Sequence, residues 1–260
     1  MKRMFSPSWL RVIGLCFLPL AMLLSGCGGG SSSSPPPADP TGYYGVSGFA
    51  TVKQSDNITD LSISSGLEAM VYNNRILMLS SADKLLYDIT ITNISGDSFT
   101  GTAVIYTDNQ NPMNATVSGT ITSGSSITGT LTGTGAGNGT FKLVYESKGI
   151  APIMTTGWGV KIGGSSQYFN IQIDASRNLT TQNGVNTGYF SGCTISGNLV
   201  SIGGTQLYSV KSTISGCTTD ASFNGTYNGM ATSQDAASII LVFAVMKADA
   251  SHSLSADFSQ

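Results

Sequence analysis

Residues 117–131 read VSGTITSGSSITGTL. On either side of Gly124-Ser125 every second position is apolar or glycine, and the positions between them are serine or threonine. The alternate positions are Val117, Gly119, Ile121, Ile127, Gly129 and Leu131. Because side chains of a strand alternate between the two faces of a sheet, one face enters a core and the hydroxyl-rich face meets water. The stretch predicts an antiparallel hairpin with its turn at Gly124-Ser125.

The same period of two recurs along the chain. Apolar residues alternate with polar ones at Tyr87, Ile89 and Ile91 and at Phe169, Ile171 and Ile173. Turn signals fall about every ten residues, at Asn73-Asn74, Ala82-Asp83, Gly96-Asp97, Gly124-Ser125, Ala136-Gly137 and Gly203-Gly204. About eight strand candidates precede Lys148, and eight strands suffice to close a small barrel. The predicted fold is all-β, an antiparallel meander that forms two small barrels or barrel-like units, with a two-sheet sandwich as the alternative.

The chain divides into two predicted β units after a flexible tether. The unit of residues 41–148 ends where Gly149-Ile150-Ala151-Pro152 interrupts the alternation, and the second unit covers residues 149–260. Within the second unit, residues 239–246 form an unbroken apolar run. Eight residues are too few to span a bilayer as a helix, so this run predicts a strand buried on both faces.

The N-terminus has the parts of an export signal. A basic segment with Lys2, Arg3 and Arg11 precedes a short apolar run, and the run ends in Leu24-Ser25-Gly26-Cys27. With that motif, the segment resembles a bacterial lipoprotein precursor. The resemblance implies a signal peptide at residues 1–26, cleavage before Cys27, and acylation of the Cys27 sulfur and amino group.

The residues after Cys27 indicate a tether and a destination. Gly28 stands where inner-membrane lipoproteins of this kind have aspartate, so the resemblance implies a lipid anchor in the outer membrane. It does not assign the anchor to the periplasmic or the cell-surface face. The lipidated cysteine and a tether rich in glycine, serine and proline make up residues 27–40. With this tether, the body is similar to poorly characterised β-barrel surface lipoproteins of Gram-negative bacteria.

The charge of the body argues against nucleic acid as a partner. Only 10% of the chain is charged, and removal of the three basic signal residues leaves nine basic against 14 acidic residues, a formal net charge of −5. No cluster of lysine and arginine occurs along the body. Nucleic acids and anionic lipid headgroups need a concentrated positive face.

Cys193 and Cys217 are predicted to form a disulfide. They flank one predicted hairpin and stand in a chain bound for an oxidising compartment. A loop centred on Thr205 places the two cysteines directly opposite each other and pairs Val200 with Val210. A tight turn at Gly203-Gly204 offsets the cysteines by three positions, and a bulge must then restore the pairing.

The sequence offers no catalytic, metal or cofactor motif. His252 is the only histidine, and its neighbour Ser251 is expected on the opposite face of a strand, which excludes a nucleophile–base pair. Ser81 and Lys84 have the spacing of a Ser-x-x-Lys nucleophile, but they lie in a predicted turn. Alternate glycines at residues 133–139 and the Asx-rich stretches at 56–60 and 108–111 are interpreted as turns, with Ca²⁺ binding as the weaker alternative for the latter.

Three functions fit these features. The first is a non-catalytic, lipid-anchored outer-membrane protein whose β body serves as a binding or envelope-structural module. The second is a carrier of a small apolar ligand, a lipid or haem, inside a barrel. The third is a surface adhesin that recognises a host surface or polysaccharide through exposed tyrosine and asparagine side chains.

Overall fold

A computed structural model describes residues 38–64, 66–107, 111–146, 157–161, 168–182, 186–233 and 240–259. The predicted signal peptide, Cys27 and the tether up to residue 37 lie outside these ranges, as do the predicted boundary at 148/149 and residues 108–110. The described residues all belong to one compact unit.

The described chain is all-β and antiparallel, as predicted. Its strands are β1 (Gly42–Lys53), β2 (Asp60–Ile63), β3 (Leu67–Tyr72), β4 (Arg75–Ser80), β5 (Leu85–Ser95), β6 (Ser98–Tyr106), β7 (Met113–Thr122), β8 (Ser126–Gly133), β9 (Gly139–Tyr145), β10 (Gly157–Lys161), β11 (Tyr168–Ile173), β12 (Asn178–Thr181), β13 (Thr194–Ser201), β14 (Leu207–Ser215), β15 (Gly225–Ser233), β16 (Ile240–Lys247) and β17 (Ser253–Ser259). Single 3-10 turns lie at Gly135–Gly137, Gly188–Phe190 and Ala221–Phe223.

The strands close into two barrels, which confirms the barrel prediction over the sandwich. In the N-terminal barrel, β1 and β3–β9 form a meander that β1 closes by pairing with β9, while β2 pairs with the far end of β1. In the C-terminal barrel, β10–β17 follow one another and β10 pairs with β17. Before Lys148 the described residues contain nine strands instead of about eight; the barrel itself uses eight, and the additional strand is β2, four residues long and largely exposed, at the end of β1.

Glycines let large rings fill the N-terminal barrel. Gly119 and Gly129 lie opposite each other on β7 and β8, next to Phe99 of β6 and Phe141 of β9. A Cβ added to Gly129 lies 2.3 Å from Phe141 Cζ, so the ring occupies the space that a side chain would need. Residues 117–131 therefore form the predicted hairpin, and its glycines face the same core as its valine, isoleucine and leucine residues.

A third apolar cluster lies where the outer faces of the two barrels meet. We call it the inter-barrel cluster. It contains Tyr43, Met70, Leu77, Leu79, Leu86 and Tyr106 of the N-terminal barrel and Ile202, Leu207, Met230, Val242, Ala244 and Met246 of the C-terminal barrel. On β16, Leu241, Phe243 and Val245 point into their own barrel and the residues between them join this cluster. The predicted burial of this strand on both faces is confirmed for residues 241–246.

Candidate ligand-binding groove

A groove of about 390 Å³ lies at the edge of the inter-barrel cluster. One wall is the β3–β4 hairpin of the N-terminal barrel, and the other is the outer face of β13, β14 and β15. Met230 belongs to both the groove lining and the inter-barrel cluster, so the apolar packing that holds the barrels together also forms the base of the groove.

The first wall is set by a tight turn. Asn73 and Asn74 have φ of 50° and 62°, the left-handed pair that joins two strands by a two-residue turn. Tyr72 and Arg75 therefore close the hairpin opposite each other, and Tyr72, Asn73 and Arg75 line the groove together. The Tyr72 side chain is 41% exposed although it is large and aromatic.

The Arg75 guanidinium is held in place by Asp88 of β5. Arg75 Nε lies 2.6 Å from Asp88 Oδ1, and Arg75 Nη2 lies 2.7 Å from Asp88 Oδ2. This two-point contact fixes the plane of the guanidinium and uses two of its five N–H groups. Donors of Arg75 that do not face Asp88 are thus pre-positioned at the groove.

The second wall consists of two rows of side chains that run across the strands. Asn198, Lys211 and Asn228 are opposite one another on β13, β14 and β15, and Val200, Ser209 and Met230 form the next row. Neighbouring strands are about 4.8 Å apart, so each row spans about 10 Å. The first row offers amide and ammonium groups to solvent, and the second becomes more buried toward Met230.

The groove is cationic within an acidic protein. Its lining contains Arg75 and Lys211 and no aspartate or glutamate. Asp88 balances the charge of Arg75, whereas Lys211 forms no ion pair in the described part of the chain. Burial raises the pKa of nearby Tyr106 to about 12, with Asp88 adding to the rise and Arg75 opposing it. This phenol is therefore neutral at physiological pH. With Asp88 counted beside the two lining cations Arg75 and Lys211, the formal charge at the groove is +1.

The predicted disulfide between Cys193 and Cys217 is present. The register predicted for its hairpin is wrong by one residue, because Val200 pairs with Ser209 instead of Val210. The loop has four residues between Ile202 and Leu207, and Thr205 N donates to Ile202 O at 3.1 Å. A loop centred on one residue has an odd length, so the observed four-residue loop shifts the pairing by one residue from the predicted register. Val200 and Val210 therefore lie on opposite faces, with Val200 exposed to solvent and Val210 in the core.

Glycine accommodates this shift at the other end of the hairpin. The last pair of the ladder is Thr194 with Ser215, so Cys217 has one more residue between it and the ladder than Cys193 has. That additional residue is Gly216, which has φ of 73°. Gly192, next to Cys193 on the other arm of the hairpin, has φ of 76°. Left-handed backbone of this kind is accessible to glycine and is typical of a bulge.

The expected separation of Ser251 and His252 is also wrong. His252 Nδ1 lies 2.8 Å from Ser251 Oγ. Ser251 precedes β17, so the alternation of side chains along a strand does not apply to it. Ser251 Oγ also contacts Asp249 Oδ1, which puts the serine between the carboxylate and the imidazole. In a catalytic triad the imidazole occupies the middle position, and this exposed turn lacks that order.

Three of the other motifs adopt the turns that were predicted for them, and the stretch at 108–111 lies mostly outside the described residues. Ser81 and Lys84 belong to the four-residue turn between β4 and β5. The Asp56 carboxylate accepts hydrogen bonds from the Thr59 hydroxyl and from the backbone of Ile58 and Thr59, and these bonds, the hydroxyl's above all, lower its pKa. Residues 135–137 form a single 3-10 turn.

The described ranges contain no group of three or more histidine, cysteine, aspartate or glutamate side chains arranged to hold a metal ion. Within the same ranges, no helix has both the length and the apolar character needed to cross a membrane. Comparison of the chain with protein-family models, curated proteins and solved structures finds no match.

Proposed function

We propose that this protein is a lipoprotein anchored in the outer membrane through acylated Cys27, and that its two-barrel body is a non-catalytic binding module. The groove between the barrels is the proposed ligand site. The observation that carries the binding part of this proposal is the convergence of side chains from the β3–β4 hairpin and from β13–β15, more than 100 residues later in sequence, on one solvent-accessible cleft. Its volume lies within the range of about 300–1,000 Å³ of small-molecule sites.

The chemistry of the lining supports binding over catalysis. Ser209 is the only hydroxyl of the second wall, and its Oγ is directed at the backbone oxygen of Val200, 3.5 Å away. Lys211 lies two residues further along β14 and makes no hydrogen bond to Ser209. A nucleophile needs a base within about 3 Å. The groove instead offers fixed hydrogen-bond donors and one aromatic face.

The groove favours surface recognition over transport inside a barrel. Tyr44, Tyr87, Phe99 and Phe141 are almost fully buried in the N-terminal barrel, and Trp158, Phe169, Phe243 and Phe258 are equally buried in the C-terminal barrel. Eight-stranded barrels have interiors that such side chains can fill. The exposed tyrosine and asparagine side chains expected of an adhesin lie together in the groove, as Tyr72, Asn73, Asn198 and Asn228.

Labelled palmitate tests the anchor. The full chain is expressed in a Gram-negative host as the wild type, as Cys27→Ser and as the control Cys16→Ser, which changes a cysteine inside the signal. Wild type and Cys16→Ser are expected to take up label and to sediment with outer membranes, whereas Cys27→Ser is expected to lose both properties. Unchanged labelling and fractionation of Cys27→Ser would refute the anchor.

A screen with hydrolase substrates tests the non-catalytic part of the proposal. The purified wild type is expected to turn over none of the ester, amide and glycoside substrates supplied. Turnover that disappears on replacement of one serine or one carboxylate, with the fold retained, would contradict the proposal.

A further inference from the structure

We propose that the groove binds an acidic carbohydrate, with Lys211 and Arg75 facing its carboxylate or sulfate groups and Tyr72 facing its sugar rings. This inference rests on the proposed binding function and assigns the class of ligand. It is carried by the charge of the lining, by the two-row pattern of its second wall and by the strand pairing around it.

Charge selects an anionic ligand. The body has a formal net charge of −5, yet the groove lining combines two cations with no acidic side chain. The Arg75 guanidinium is oriented by Asp88 before any ligand arrives, so little side-chain entropy is lost when it binds a second anion. Lys211 supplies a mobile ammonium on the facing wall, about one strand spacing from Asn198 and from Asn228.

The polar groups match hydroxyl groups better than they match isolated anions. A hydroxyl both donates and accepts hydrogen bonds, and an asparagine amide does the same. Asn73 lies on one wall, and Asn198 and Asn228 lie on the other. Sugar rings also carry apolar C–H faces, and the groove offers an exposed apolar group on each wall, Tyr72 on the first and Val200 beside the amide row on the second. The lining thus offers amide groups to the hydroxyl groups of a pyranose ring and apolar side chains to its C–H face.

Strand pairing argues against an extended peptide as the ligand. A peptide usually joins a sheet at a free edge. On this wall, however, β14 is paired with β13 and β15, and these two strands have β12 and β16 as their other partners. Among the described strands, the row of Asn198, Lys211 and Asn228 is therefore paired on both sides, and only the end of β13 beyond Leu199 has no partner strand. An acidic peptide is the competing ligand that the experiment must distinguish.

The test uses full-length lipidated protein in detergent and three probes. These are an oligomer of galacturonic acid, the same oligomer as its neutral methyl ester, and an oligoglutamate of equal charge. Binding is measured by isothermal titration calorimetry with wild type, Lys211→Gln, Tyr72→Ala and the control Lys142→Gln, which removes an exposed lysine of the N-terminal barrel outside the groove. Thermal unfolding of each variant checks that the fold is retained.

The acidic oligosaccharide is expected to bind at least tenfold more tightly than its methyl ester or oligoglutamate. Loss of a charged hydrogen-bond partner is expected to weaken binding about tenfold in Lys211→Gln. Tyr72→Ala is expected to weaken it by a similar factor, while Lys142→Gln leaves it unchanged.

Equal binding of the acid and the ester, or equal loss of affinity in Lys142→Gln and Lys211→Gln, overturns the inference. Preferential binding of oligoglutamate that depends on Lys211 overturns the ligand class and leaves the groove as a binding site. Failure of all three probes to bind overturns the inference, while the palmitate and turnover experiments judge the proposed function separately.

Discussion

Replacing Gly129 with alanine is expected to destabilise the protein by about 1–2 kcal/mol. The added Cβ would lie 2.3 Å from Phe141 Cζ, far inside the 3.5–4.0 Å at which carbon atoms make favourable contact. Phe141 is 2% exposed, so its ring can move only by displacing other core side chains. Overpacking of this kind costs about 1–3 kcal/mol, and the smaller entropy of the unfolded alanine chain offsets roughly 0.4–1 kcal/mol of that cost.

Urea unfolding monitored by far-UV circular dichroism measures the difference. The matched control is Gly203→Ala, because a Cβ added to Gly203 has no atom within 4 Å and the backbone there is not left-handed. This control is expected to stay within about 0.5 kcal/mol of wild type. The midpoint temperature of thermal unfolding is expected to fall by about 2–4 °C for each kcal/mol of destabilisation in a chain of this size.

A second variant shows whether the ring is the cause. In a Phe141→Leu background the ring is gone, so Gly129→Ala is expected to cost less than it costs in the wild type. If Gly129→Ala matched Gly203→Ala in stability, or if its cost were the same with and without the ring, the packing of Phe141 over Gly129 would be refuted as the reason for glycine.

Three further predictions follow from the packing, the disulfide and one buried carboxyl. Leu77→Ala in the inter-barrel cluster is expected to lower the free energy of unfolding by about 2–5 kcal/mol, whereas Ile58→Ala, at a site 79% exposed, stays within about 0.5 kcal/mol; urea unfolding of both checks this. The double variant Cys193→Ser/Cys217→Ser is expected to lose roughly 3 kcal/mol, and a reducing agent is expected to destabilise the wild type equally and the variant not at all. Burial raises the pKa of Asp257, so its contribution to stability is present below the unfolded pKa of about 4 and is lost as pH rises through the folded pKa. Asp257→Asn is therefore expected to be more stable than wild type at pH 7 and to lose that advantage at pH 3, and a flat difference across this range would contradict the assignment.

Local patterns in the sequence were enough to predict the alternating strands around Tyr87, Val117 and Phe169 and the turns between strands. Asn73-Asn74 marks a turn because asparagine tolerates positive φ, and both residues adopt it. The alternation around Gly124-Ser125 predicts the β7–β8 hairpin, whose register is centred on Gly124. These features depend on residues close together in the chain, so the sequence contains their full cause.

One further signal in the sequence was overlooked. Asn138-Gly139-Thr140-Phe141 and Asn224-Gly225-Thr226-Tyr227 are nearly the same tetrapeptide. In each, a 3-10 turn precedes a glycine with φ of 153–159°, and the aromatic ring two residues later is buried in a barrel core. The repeat marks the start of β9 and of β15, and it could have placed both strands to the residue.

The groove could not be predicted, because it depends on register and on the contact between barrels. With the register predicted from a loop centred on Thr205, Lys211 opposes Leu199, and no row of Asn198, Lys211 and Asn228 forms. The observed register differs by one residue, and a slip of that size changes which side chains share a face. Tyr72 reaches this row only through packing of the outer faces, which no local pattern encodes.

The inter-barrel cluster also has a consequence for biogenesis. The N-terminal barrel is complete at Tyr145, but its share of the cluster is covered only by residues from Ile202 onward. While the chain is being synthesised, a finished N-terminal barrel with Met70, Leu77 and Leu79 uncovered would wait for more than fifty residues to emerge. Such a surface attracts other chains, so holdase chaperones are expected to matter most during that interval.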